Sequence, residues 1–157
     1  MCNRLMKCRM KELDMAISGI GENMEDRYLC KAKRTDNGEW VVGFYTYIYK
    51  KHYIYTGQII SGGLYDIAES FEVDPSTICR CTGLKDKNGK LIWENDIVVC
   101  RDFTEEKYVI AWKQDEACFE YQQYGYSIMN FEQLSGCEVE VIGNVFDNAE
   151  LLESEEK

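Results

Sequence analysis

Residues Thr82 to Val99 read T-G-L-K-D-K-N-G-K-L-I-W-E-N-D-I-V-V, and this stretch decides the fold. Asn88-Gly89 stands between Lys87 and Lys90. Asn-Gly is the strongest short-range signal for a two-residue type I′ hairpin, because both central residues of that turn need φ > 0. Leu84 precedes the turn and Leu91, Ile92 and Trp93 follow it. Glu94-Asn95-Asp96 then interrupts before a second apolar run, Ile97 to Cys100. Asn tolerates the left-handed region better than other non-glycine residues, and Asp accepts backbone N–H groups in turns, so Asn95-Asp96 is read as a bend between strands. Asn88, Gly89, Asn95 and Asp96 are thus structural turn residues, and the stretch predicts three short strands joined by tight turns.

Outward from this centre the same grammar repeats. Arg27 to Lys33 predicts a strand, Thr35 to Gly38 a turn, and Glu39 to Tyr49 a second strand rich in aromatic and β-branched residues. Lys50-Lys51-His52 is read as a basic turn, with Tyr53 and Tyr55 on the returning strand. Leu64 to Phe71 places Leu64, Ile67 and Phe71 at helical spacing and predicts one or two helical turns. Asp74-Pro75-Ser76 sets a turn, and Thr77 to Thr82 leads back into the central hairpin. Downstream, Tyr108 to Trp112 reads as a fully buried strand, Phe131 to Leu134 as a helical turn and Cys137 to Val145 as a half-exposed strand. Short strands with turn signals between them predict a mainly β protein, an antiparallel small barrel or packed sheets built from short hairpins, with minor short helices.

The central stretch resembles the YopX family of phage and prophage proteins, which carries T-G-L-x-D-x-N-G-K followed by E-G-D-I-V. This chain departs from that pattern at Asn95, where glycine is usual, a change that keeps the backbone requirement. Arg27-Tyr28-Leu29 running to Asn37-Gly38-Glu39-Trp40-Val41 resembles the family's opening. Glu72 to Thr77 resembles its middle, and Val141 to Asn148 with Glu150-Leu151-Leu152 its close. The resemblance implies a β-rich fold, self-association and a phage or prophage context, and it supplies no catalytic residues to carry over.

The resemblance starts just after Met24. Residues 1–23 are methionine-rich, with Met6, Met10, Leu13 and Ile17 at the spacing of a short basic amphipathic helix. Gly21-Glu22-Asn23-Met24 can also be encoded by a GGAG run just before an ATG, the pattern of a ribosome-binding site. Residues 1–23 are therefore read as an extension upstream of a natural start at Met24, 24–152 as one domain and 153–157 as an acidic tail.

Composition limits the function classes. With 28 acidic and 18 basic residues the net charge is −10, which opposes loose attraction to nucleic acid or to an anionic membrane. No apolar run approaches the roughly 18 residues of a bilayer span, and no signal-peptide core is visible, so a cytoplasmic location is expected. Eight cysteines among 157 residues fall below the roughly 8–10% that marks a disulfide scaffold. Cys79-x-Cys81 lacks zinc-ligand spacing. Reduced structural thiols, no metal and no cofactor are the expectation.

No nucleophile paired with a base, metal framework or phosphate loop can be named, which points away from an enzyme. The carboxylates Asp66, Glu69, Glu72 and Asp74 read as a solvated acidic edge. One candidate surface remains: Tyr47, Tyr49, Lys50, Lys51, His52 and Tyr53, an aromatic stripe beside a basic turn. Tyrosine is a common anchor of protein interfaces, so the leading expectation is a non-enzymatic module that contacts protein and forms homo-oligomers. The alternative is a nucleic-acid-binding small β-barrel that stacks bases on the tyrosines.

Overall fold

The computed structural model describes residues 26–61, 66–100, 106–123, 126–130 and 139–153. The proposed extension 1–23, the start at Met24, the helical turn at Phe131 to Leu134 and most of the acidic tail lie outside them.

Among the described residues eleven strands form two antiparallel sheets. The first holds β1 (Cys30–Lys33), β2 (Trp40–Ile48), β3 (Lys51–Ser61), β4 (Asp66–Glu72), β5 (Cys79–Lys85) and β6 (Leu91–Trp93), in the order β4-β3-β2-β1-β5-β6. The second holds β7 (Asp96–Cys100), β8 (Lys107–Lys113), β9 (Cys118–Gln123), β10 (Tyr126–Asn130) and β11 (Val139–Asn144), in the order β10-β9-β8-β7-β11. Of the two architectures the sequence allows, packed sheets is the one observed. The first sheet curls, with Val73 just beyond β4 bridging to Arg34 just beyond β1, yet it does not close into a barrel. Helical structure among the described residues is confined to short 3-10 turns at Asp26–Tyr28, Pro75–Thr77 and Ala149–Leu152. In the second of these, the Asp74 carboxylate accepts from the Ser76 N–H at 2.9 Å and fixes the turn that Pro75 begins.

Among the described residues three apolar clusters hold the fold. Ala32, Val41, Ile54 and Val73 fill the curl of the first sheet. Val98, Cys100, Tyr108, Ile110, Tyr121 and Val139 cover one face of the second and reach Ile92 of the first. Cys79, Cys81 and Trp93 pack with Leu29, Trp40, Leu91 and Phe146 between them. The buried strand expected at Tyr108 to Trp112 proves half-buried: Tyr108 and Ile110 are covered, while Val109, Ala111 and Trp112 are not. At β8 only one face of the sheet is fully covered, unlike at β7, which is buried throughout, and this imposes alternation on an apolar run.

The helical turns expected from Leu64 to Phe71 are also corrected. Asp66–Glu72 is strand β4, paired along β3 through Tyr53↔Glu72, Ile54↔Phe71 and Ile60↔Ile67. Helical spacing over so few residues does not outweigh a neighbouring strand that offers a full ladder of hydrogen bonds.

The Asn88-Gly89 hairpin exists, but not as a type I′ turn. Only Gly89 has positive φ (79°); Asn88 does not. Gly89 N–H bonds Asp86 C=O at 2.9 Å and Asp86 N–H bonds Lys90 C=O at 2.8 Å, which is a type I turn closed by a left-handed glycine, a three-residue loop. Asp86 selects it. Its Oδ1 accepts the N–H groups of Asn88 (2.8 Å) and Lys90 (2.9 Å), leaving Asn88 right-handed.

Of the described cysteines, Cys30, Cys79, Cys81 and Cys118 are free, and burial pushes the Cys79 thiol up to about 11. Cys100 departs from the expectation of reduced thiols throughout: it is disulfide-bonded, with the other half outside the described residues. Composition speaks for the chain as a whole and is blind to which two cysteines the fold brings within bonding distance.

Candidate functional site

Two polar regions stand out, one at the joint between the sheets and one at the β2–β3 hairpin. At the joint, Glu94-Asn95 carries the chain from β6 to β7. Asn95 has φ 66°, the left-handed conformation that its residue type predicts. Its N–H donates to Ile110 C=O at 2.7 Å and its C=O accepts from Val145 N–H at 3.0 Å, so the bend is sewn to both neighbouring segments of the second sheet. Asp96 is 1% exposed. One carboxylate oxygen accepts from Lys31 Nζ of β1 at 2.7 Å and the other from Trp93 N–H at 2.9 Å. The Lys31 ammonium also lies over the rings of Trp40 (5.2 Å) and Trp93 (5.5 Å). Burial pushes the Asp96 carboxyl up and the Lys31 charge pulls it back.

Around this pair, Asp147 accepts from Lys33, from Asn144 Nδ2 at 2.9 Å and from Trp40 Nε1 at 2.7 Å. Those bonds, the Lys33 one foremost, hold its carboxyl down to about 2. Arg80 of β5 grips Glu94 through two bonds of 2.9 and 3.0 Å and stacks over Trp112 of β8 at 4.4 Å. Asp86 is a further tie: its Oδ2 accepts Val141 N–H of β11 at 3.2 Å. Burial alone would raise its carboxyl, but the N–H groups of Lys90, Val141 and Asn88 outweigh that and hold it below the ordinary range. Each charge here has its partner inside the chain, which makes the region a clamp between sheets. Sequence reading treated Asp96 as a turn residue and missed Lys31, Trp40, Asp86 and Asp147. Asp at the first position of a type I turn was the one available signal, for Asp86.

At the hairpin the register decides everything. Tyr45↔Ile54, Thr46↔Tyr53, Tyr47↔His52 and Ile48↔Lys51 are paired, leaving Tyr49 and Lys50 as a two-residue loop. Both have positive φ (51° and 65°), the requirement of a type I′ turn. The expected turn Lys50-Lys51-His52 is corrected to Tyr49-Lys50. Ile54 is fully buried, and a slip of one residue would swing it to the other face, so burial fixes the register against the turn preference. Gly43 permits the close crossing of the two strands: a Cβ there would lie 2.1 Å from Tyr55 C=O.

The six candidate residues do not form one surface. Tyr47 and His52 share a face with Tyr45, which the candidate set omitted; their rings lie 4.9 Å (Tyr47) and 5.8 Å (Tyr45) from the imidazole, and Tyr45 OH is 2.7 Å from His52 Nδ1. Tyr49 and Lys50 form the tip, with Tyr49 94% exposed. Lys51 and Tyr53 lie on the opposite face, where Lys51 Nζ binds Glu72 at 2.7 Å. That face also exposes Val42 and Ile48. The acidic edge is likewise engaged, since Glu69 accepts from Thr56 at 2.7 Å.

Among the described residues no group of three His, Cys, Asp or Glu is placed to hold a metal, and no helix is long and apolar enough to cross a membrane. No curated protein matches the chain. Among solved structures it is similar to the crystal structure of protein EF1440 from Enterococcus faecalis, at 26% identity and a TM-score of 0.53, covering 79% of this chain and 96% of that one. The family model described as YopX protein matches residues 22–153, the span that contains both the clamp and the hairpin, and the chain belongs to the YopX family.

Proposed function

We propose that this YopX protein is a non-enzymatic, self-associating interaction module, acting in the cytoplasm in a phage or prophage context, with the β2–β3 hairpin as its contact surface. One observation carries the reading: the hairpin exposes Tyr47 (56%) on one face, Ile48 (48%) on the other and Tyr49 at its tip. Large aromatic side chains on a rigid ribbon are the usual anchors of protein interfaces.

Sheet edges are the other route to self-association, and they are blunted. Strand β4 carries Asp66, Glu69 and Glu72 along its length, β6 spans only three residues, and β10 and β11 both contain register shifts. The polar groups that might suggest catalysis are committed to the clamp, Asp96 to Lys31 and Asp86 to backbone N–H groups. Replacing Tyr47 and Tyr49 together by serine should lower the mass seen by light scattering and leave unfolding unchanged. A wild-type mass of 18.3 kDa at all concentrations removes the self-association reading. Micromolar binding to single-stranded DNA or RNA, lost on Lys50→Glu, favours the nucleic-acid alternative.

A further inference from the structure

We infer that the Tyr45-Tyr47 face of the β2–β3 hairpin takes the guanidinium or ammonium groups of a basic segment on another protein. This rests on the reading of the hairpin as a contact surface and goes beyond it by naming a cationic partner, distinct from a second copy.

The first argument is how the chain uses its own cations. Among the described residues, Lys31 and Lys33 lie over Trp40 at 5.2 and 5.5 Å, Arg34 over Phe71 at 3.9 Å and Arg80 over Trp112 at 4.4 Å. No described cation lies over Tyr45 or Tyr47, whose rings stand 41% and 56% exposed. The electron-rich face of a tyrosine attracts a cation, so these are the rings still open to one from outside.

The second argument is rigidity. Tyr45 OH lies 2.7 Å from His52 Nδ1, and both tyrosine rings pack against the imidazole between them. Tyr47 is paired with His52 and Tyr45 with the fully buried Ile54, so the ladder fixes the face before a partner arrives. A surface already in place loses little conformational freedom on docking.

The third argument is charge. A chain of net charge −10 steers a cationic partner toward itself. Farther from the tip than Tyr45, Thr56 donates to Glu69 at 2.7 Å and keeps a carboxylate beyond the rings. Lys51 is neutralised by Glu72 on the opposite face, which leaves Lys50 at the tip as the like charge beside Tyr47.

The probe is a fluorescent arginine peptide of about nine residues, titrated with the full chain at about pH 8 and about 0.15 M salt. The wild type should bind it at micromolar concentration. Tyr45→Leu with Tyr47→Leu keeps apolar area and net charge but removes the rings, and it should weaken binding about fivefold or more; Tyr47→Phe, which keeps the ring, should leave it nearly unchanged. Lys50→Glu should tighten it. Equal binding by the leucine variant means that net charge alone holds the peptide, and overturns the proposal. So does a wild type that does not bind the peptide, or one that binds a single-stranded DNA oligonucleotide more tightly and loses it on Lys50→Glu. If the double variant has a lowered thermal midpoint, Tyr47→Leu alone decides, with an expected loss of about threefold. If the peptide fails while the double-serine variant still loses mass in light scattering, the cationic partner is wrong and the hairpin remains a surface between copies. Failure of both removes the contact-surface reading as well.

Discussion

The clamp at Asn95-Asp96 and the tip at Tyr49-Lys50 both turn the chain with left-handed residues, and they use them in opposite ways. At the clamp, Asn95 bonds Ile110 and Val145 through its backbone and donates its side-chain Nδ2 to Cys79 Sγ at 3.6 Å, while the Asp96 carboxylate takes Trp93 and Lys31, so sequence and structure serve stability together. At the tip the backbone is equally constrained, but the side chains point into solvent and return nothing to the fold. A left-handed residue alone therefore does not reveal a role. What separates the two regions is whether its side chain is consumed inside the chain.

Mutations should divide along this line. Asp96→Ala leaves the Lys31 ammonium buried without its partner, and urea unfolding should show a loss of about 3–5 kcal/mol. A loss below about 1 kcal/mol would mean that water or another acid replaces Asp96 and that the clamp is not tight. Asp86→Ala strips an acceptor from three backbone N–H groups and should cost about 1–3 kcal/mol. At Asn95 the expected pattern is Val destabilising by about 1 kcal/mol or more, with Gly close to neutral, because a β-branched residue resists φ > 0. Equal stability of those two variants would contradict the turn.

The pH dependence follows from Asp147. Its folded carboxyl is held down to about 2, from an ordinary value of 3.8, by Lys33 and its neighbours. A depressed acid contributes stability that is fully present above the unfolded value and is lost as pH falls through the folded one. The stability gap between wild type and Asp147→Asn should therefore close between about pH 4 and pH 2, and a gap that persists below pH 2 argues against the assignment. Smallest of all, Tyr47→Ser should change unfolding by no more than about 0.5 kcal/mol, since its ring is largely exposed.

Much of the fold was legible because turn chemistry is local. Asn37-Gly38, Asp74-Pro75, Asn88-Gly89 and Asn95-Asp96 each mark a real change of direction. The finer geometry was not, because it is set at a distance. Asp86, two residues before Asn88, chose the type of one turn, and the burial of Ile54 placed the other on Tyr49-Lys50. Strand β4 was hidden because its ladder comes from β3. The clamp was hidden because Lys31 and Asp96 lie 65 positions apart. Alternation along one strand already puts Tyr45 with Tyr47, but only the register shows that His52 joins them while Tyr53 faces the other way.

The account stands most directly on where the chain touches its partner, and amide hydrogen exchange of the full protein, compared at dilute and at about 100 μM concentration, reads that out residue by residue. Concentration should add protection at residues 45–53 and leave the clamp strands β6 and β7 unchanged. No gain anywhere, or a gain confined to the edges β4, β6, β10 or β11 with the hairpin as open as before, would contradict the claim that the hairpin is the contact surface.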